Sequence, residues 1–137
     1  MADRLPQNIE AENVVLGLMI LSRTCLAKGM ADLTSDHFHK KDNGLIFNGM
    51  SALFEKGKDV SIVSLTEQLK STNTLSAVGG GLRLAELAES SISDTEFETY
   101  TAILEDKKVK RNMIIVASEI QKKGYDDVMD QDSFLKF

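Results

Sequence analysis

A few groups of residues have the types, and in part the spacing, that chemistry requires. His37-x-His39 contains both histidines of the chain. Neighbouring imidazoles can ligate zinc, but a site needs further ligands at ordered spacing, and Cys25, the single cysteine, lies across an unrelated segment. A polar loop between the second and third helices is the simpler reading of the pair. Cys25 would act as a nucleophile only beside a base in an electropositive setting, and nothing local supplies one. A buried structural thiol is its ordinary role. Gly79-Gly80-Gly81 invites comparison with a phosphate loop. No strand precedes it, however, and no Lys-Ser or Lys-Thr follows, so a helix terminator is the simpler reading. Asp126, Asp127, Asp130 and Asp132 lack the glycine and terminal glutamate of a calcium loop, and read as helix capping and solvation. Lys107, Lys108, Lys110 and Arg111 form a basic run, but Glu105 and Asp106 adjoin it. It reads as a solvated helix face, with a nucleic-acid contact only inside a larger assembly.

The elements that would position these residues are helices. Of the 137 residues, 42% are hydrophobic and 27% charged, a balance of soluble globular chains and too apolar for disorder. The one proline, Pro6, precedes the first periodic segment. Asn8 is an N-cap, with Glu10 and Glu12 in the first turn complementing the helix dipole. Apolar spacing predicts helices at about 9–22, 25–33, 40–56, 62–70 and 82–90, with a single turn at 74–78. Gly57 is placed for a left-handed C-terminal cap and Ser61 for an N-cap. A final helix runs from Ser93 or Asp94 to Gly124. Its charged middle, 105–111, marks a break or a change of surroundings, beyond which Ile114, Ile115, Ala117 and Ile120 continue an apolar stripe that needs a partner. Phe134, Leu135 and Phe137 then restart an apolar pattern. The fold class is all-α: a compact bundle of about six helices followed by a projecting long helix that begins a helical hairpin. Residues 1–104 form the globular part, and 105–137 the first helix and truncated start of the hairpin.

The net charge of −5 disfavours autonomous binding to phosphate backbones. One cysteine excludes an intrachain disulfide and suits a reducing, cytoplasmic setting. The longest apolar run, Val14 to Leu21, is too short to span a bilayer, and no targeting signal precedes it.

From Leu5 to about Tyr125 the chain resembles the N-terminal domain of the bacterial replicative helicase family, DnaB. Leu5-Pro6-Gln7-Asn8-Ile9-Glu10-Ala11-Glu12 looks like the family's Pro-x-x-x-Glu-Ala-Glu opening, followed by Val15-Leu16-Gly17. Phe38 and Leu45-Ile46-Phe47 resemble its Asp-Phe to Ile-Phe block, and Val60-Ser61-Ile62-Val63-Ser64-Leu65 its fourth helix start. Val78-Gly79-Gly80 with Leu84 and Leu87 resembles Gly-Gly-x-x-Tyr-Leu-x-x-Leu. Tyr100, Ile103, Lys107, Arg111 and Ile114 resemble the run into its helical hairpin. No single block is specific; their order and spacing together are. The chain departs from the family's usual residues at His37, Asn43, Ser61 and Arg83, which stand where the family has aspartate, histidine, aspartate and tyrosine.

The resemblance implies an assembly and docking role. Full-length members are ATP-driven hexameric helicases that encircle single-stranded DNA, with the motor downstream of this region. ATP and magnesium belong to that motor, and no cofactor or catalysis is expected in this segment. The N-terminal domains pair through hairpins into dimers and a trimer of dimers, a collar that binds the primase C-terminal domain and, in some lineages, a helicase loader. By position, Glu10, Ile114 and Ile120 match the family's primase-facing surface. Ile114 and Ile120 are expected as apolar contacts to primase or to the paired hairpin. Glu10 serves either that surface or only its own helix dipole. Arg83 places a cation on a surface expected to face partners. Two other classes stay open: an autonomous nucleic-acid-binding domain, which a DNA shift assay across salt would reveal, and a small metalloenzyme using His37 and His39, which metal analysis would reveal.

Overall fold

The computed structural model describes residues 4–90, 93–126, 128 and 130–136. Asn8 starts α1, Ile9–Leu21: its side chain accepts the N–H of Ala11, satisfying a donor that a first turn leaves unpaired. Residues 11, 12 and 14–20 are buried on every side of this helix. Such an all-round apolar helix is stable only when enclosed, and α1 is packed by α2, Arg23–Asp32; α3, Lys41–Glu55; α5, Gly80–Glu89; and α6, Phe97–Gly124. The second helix begins two residues earlier than its apolar pattern suggests. The Ser22 hydroxyl accepts the N–H of Cys25 and caps it there.

A 3-10 turn, Ser35–His37, leads into α3, which packs on α4, Ile62–Ser71. Gly57 ends the α3 region with φ of 72°, the left-handed conformation expected of it. Ser61 caps α4 through the N–H of Ser64, and the Ser64 hydroxyl accepts the Ser61 N–H in return. The three glycines do less terminating than their composition suggests. Gly79, at φ of 101°, closes the 3-10 turn Ser76–Val78, but Gly80 and Gly81 already lie in α5. Only a residue without Cβ turns this corner cheaply.

The long helix α6 does not break at 105–111. It is continuous for 28 residues, about 42 Å at about 1.5 Å per residue. The charges expected to interrupt it pair along its surface: Asp106 with Lys110 at 3.0 Å and Glu105 with Lys108 at 3.9 Å. Surroundings do change, but later, after Asn112: from Met113 to Gln121 every residue is exposed. A short α7, Gln131–Lys136, follows, with Asp130 accepting the Ser133 N–H at its start. Among the described residues no strand occurs, and no helix is long and apolar enough to cross a membrane. Of the four aspartates compared with a calcium loop, Asp126 accepts the Val128 N–H and Asp130 caps α7, while Asp127 lies outside the described residues. Phe137, the end of the expected hairpin segment, does too.

Candidate interaction surface

The polar residues inside the body decide how the long helix is held. Glu12 is wholly buried. Its carboxylate accepts the backbone N–H of His39 at 2.7 Å and of Lys40 at 3.3 Å, and the Asn43 amide at 3.0 Å. It therefore caps α3 from α1, where a helix N-terminus favours negative charge. Asn43 in turn accepts from the Arg83 guanidinium at 2.9 Å, which also donates to Asn13 at 3.0 Å. Arg83, expected on a partner-facing surface, is half-buried, and its guanidinium bonds pin α5 to α1 and α3. A forked guanidinium suits that task because one nitrogen can reach two acceptors.

His37 is buried beside α6. Its Nδ1 accepts the Thr34 N–H at 3.0 Å, which assigns the ring proton to Nε2, and Nε2 donates to Glu105 at 2.7 Å. This bond, helped by the nearby Lys108 charge, holds the Glu105 carboxyl below its ordinary value. His39 contributes only its backbone N–H to Glu12 in this network, so the two histidines do not converge on one point. Among the described residues no three or more His, Cys, Asp or Glu side chains are placed to hold a metal ion. Cys25 is buried in the core.

The last anchors of α6 are Arg111 and Asn112. Arg111 is buried and donates to the carbonyls of Pro6 at 3.0 Å and Asp36 at 2.8 Å. Asn112 donates to the Asp36 carboxylate at 3.1 Å. By its neighbours in sequence Arg111 belongs to a solvated basic run. Its side chain instead belongs to a face with Phe97 and Leu104, each two turns apart, that lies on the body. That seven-residue spacing was the available signal.

Beyond Asn112 the helix stands clear, carrying two apolar faces. Val109, Met113, Val116 and Ile120 recur at intervals of four, three and four and form one stripe, nearly opposite the body-facing line. Met113 is 66% exposed and Ile120 45%. Ile114, 43% exposed, and Ile115 follow Arg111 by three and four residues and continue the body-facing side. Ile114 and Ile120 are thus about 120° apart around the helix and do not share a face. Gly124 extends the Ile120 stripe by one turn, and a Cβ placed there would meet the Phe134 ring of α7 at 3.8 Å. The chain therefore returns towards that stripe. Glu10 is exposed in the first turn of α1. The Pro6–Arg111 bond sets that turn at the end of the body from which α6 departs.

These features describe an all-α domain whose last long helix outruns the body and presents unpaired apolar faces. A model of the DnaB-like helicase N terminal domain matches residues 4–106, and the chain belongs to that family. It is 37% identical over 132 residues to the replicative DNA helicase DnaC of Bacillus subtilis, covering 93% of this chain and 29% of that one. It is 33% identical over 120 residues to the replicative DNA helicase DnaB of Geobacillus stearothermophilus, covering 88% and 26%. The chain thus spans less than a third of the length of these curated relatives. The N-terminal domain of DnaB helicase from Mycobacterium tuberculosis superposes with a TM-score of 0.91 at 21% identity, covering 97% of this chain and 94% of that structure, a likeness of fold. A DnaB-like replicative helicase, described with its interactions with primase, superposes with a TM-score of 0.76 at 27% identity, covering 94% and 31%.

Proposed function

We propose that this chain is the assembly and docking part of a hexameric replicative helicase, pairing subunits into a collar and receiving primase, or a loader, during DNA replication. The observation that carries this reading is the pair of exposed apolar faces on α6 beyond Asn112. An apolar stripe on a helix clear of its body is stable in water only when covered. Membership of the DnaB-like family and the primase described with one relative supply the chemistry of the partner.

The two faces divide the work. The stripe through Met113 and Ile120 faces the returning α7 and forms the seam of a helical hairpin made by the distal half of α6 and the chain that follows. The Ile114 and Ile115 face, at the end of the body where α1 starts with Glu10 in its first turn, meets a second subunit or primase. Arg83 acts by holding α5. ATP-driven unwinding, with its ATP and magnesium, is assigned to the motor part of such helicases, and single-stranded DNA is met through the assembled ring.

The test is calorimetric binding of a primase C-terminal domain to this chain, beside a form extended through a complete second hairpin helix. Ile114→Asp is expected to weaken binding or self-association about tenfold or more while helix content by circular dichroism is unchanged. Ile120→Asp is expected to act only in the extended form, by opening the seam. Unimpaired binding by Ile114→Asp would remove that face from the docking surface.

A further inference from the structure

The end of the body remote from the projecting helix holds a cleft of about 540 Å³. It opens between the end of α1, the start of α2 and the connection from α3 to α4. Its remoteness follows from the course of α1 along α6: Pro6, before α1, is bonded to Arg111, whereas Lys28 of α2 pairs with Glu98 near the start of α6. Two bulky apolar side chains in this cleft are left in water, Leu21 at 61% and Phe54 at 42% exposure, with Val60 half-buried beside them. Nothing in the assembly proposed for α6 requires them to be exposed.

The charge of the lining is opposite to that of the chain. Arg23 and Lys58 are set against the single acid Asp59, in a molecule of net charge −5. Arg23 holds Asp59 at 2.5 Å with both side chains in solvent, a pair that water already weakens. Its guanidinium has five donors in a fork, so it can keep Asp59 and accept a second carboxylate. Among the described residues Lys58 has no ion-pair partner.

We propose that this cleft docks an acidic amphipathic helix of another protein, with apolar side chains on Leu21, Phe54 and Val60 and carboxylates on Arg23 and Lys58. A helix is favoured over an extended segment because an extended peptide gains affinity by pairing with a sheet edge, and the described residues contain no strand. An acidic partner is favoured because the lining sets two cations against one acid in a chain whose net charge is −5.

The test uses the full chain and a synthetic helical peptide of about four turns, with leucines on one face and glutamates elsewhere, beside its lysine counterpart. The glutamate peptide is expected to bind, to shift the NMR signals of Leu21, Phe54 and Val60, and to bind more weakly as salt rises. Lys58→Glu is expected to weaken it roughly tenfold and to improve the lysine peptide. Phe54→Ser is expected to weaken both peptides, and Ile120→Asp neither, which separates this site from the hairpin. Binding of both peptides alike, no binding of the glutamate peptide, or cleft signals that shift with protein concentration alone would overturn the proposal. The last would show a second copy seated there.

Discussion

Glu12 reads in the sequence as a first-turn acid serving its own helix, and the fold gives it to another. Its neighbour Glu10 stays in water at the start of α1, while Glu12, two residues on, points inward to the start of α3. Replacing it with alanine would leave the backbone N–H groups of His39 and Lys40 without their carboxylate acceptor and the Asn43 amide with Asn13 alone. Glu12→Ala is therefore expected to cost about 3 kcal/mol or more, measured as a lower urea midpoint at unchanged slope. A loss below about 1 kcal/mol would mean that water reaches those donors. Glu105 offers a titration test. Its carboxyl is held low chiefly by the His37 hydrogen bond, with Lys108 adding to it. A carboxyl lower in the folded than the unfolded chain stabilises the fold above the ordinary carboxylate range, and that contribution fades as pH falls through the lowered value. His37→Ala should raise the Glu105 midpoint towards the ordinary value in carboxylate NMR; an unmoved midpoint would assign the effect to Lys108. The residues that depart from the family's usual pattern are instructive here. His37 and Asn43 are buried, and the half-buried Arg83 is bonded to Asn43.

The helix α6 shows where element-level reading succeeds and where it stops. Its length, its apolar start and its stripe beyond residue 111 follow from spacing. The expected interruption does not, because charge density along a chain says nothing about whether the charges pair. Here Lys108 and Lys110 pair on the helix surface with acids three and four residues away, and Arg111 is drawn under the N-terminal arm. Arg111→Ala is expected to destabilise the domain by about 3 kcal/mol, the value of two charge-assisted hydrogen bonds. Arg111→Lys is expected to recover only part of this, since one ammonium lacks the spread of the fork. Hydrogen exchange should report faster opening of amides at 105–112 in both, while those of α1 keep their protection. Equal acceleration in α1 would make Arg111 a general core residue rather than the anchor of the lever.

At the scale of the molecule, an acidic body carries an apolar lever at one end and an apolar cleft with two cations at the other. Neither end is arranged to grip a phosphate backbone. The isolated chain is expected to leave single-stranded DNA unshifted in an electrophoretic assay at about 50 mM salt, where charge-driven binding is strong. A tight complex that weakens steeply with salt would favour an autonomous nucleic-acid-binding domain instead.

By itself the sequence determined the class of fold, most helix limits to within a residue or two, the caps at Asn8 and Ser61, the left-handed Gly57 and the family, because these depend on neighbours a few positions apart. Tertiary structure decided which polar groups are inside. Glu12 reaches α3, His37 reaches Glu105, Arg83 reaches Asn13 and Asn43, and Arg111 joins Pro6 to Asp36 across 105 and 75 residues of chain. Such bonds depend on how helices cross, which no local spacing records. It also decided that α6 stays helical through both Ile114 and Ile120, which sets these two exposed side chains about 120° apart around it.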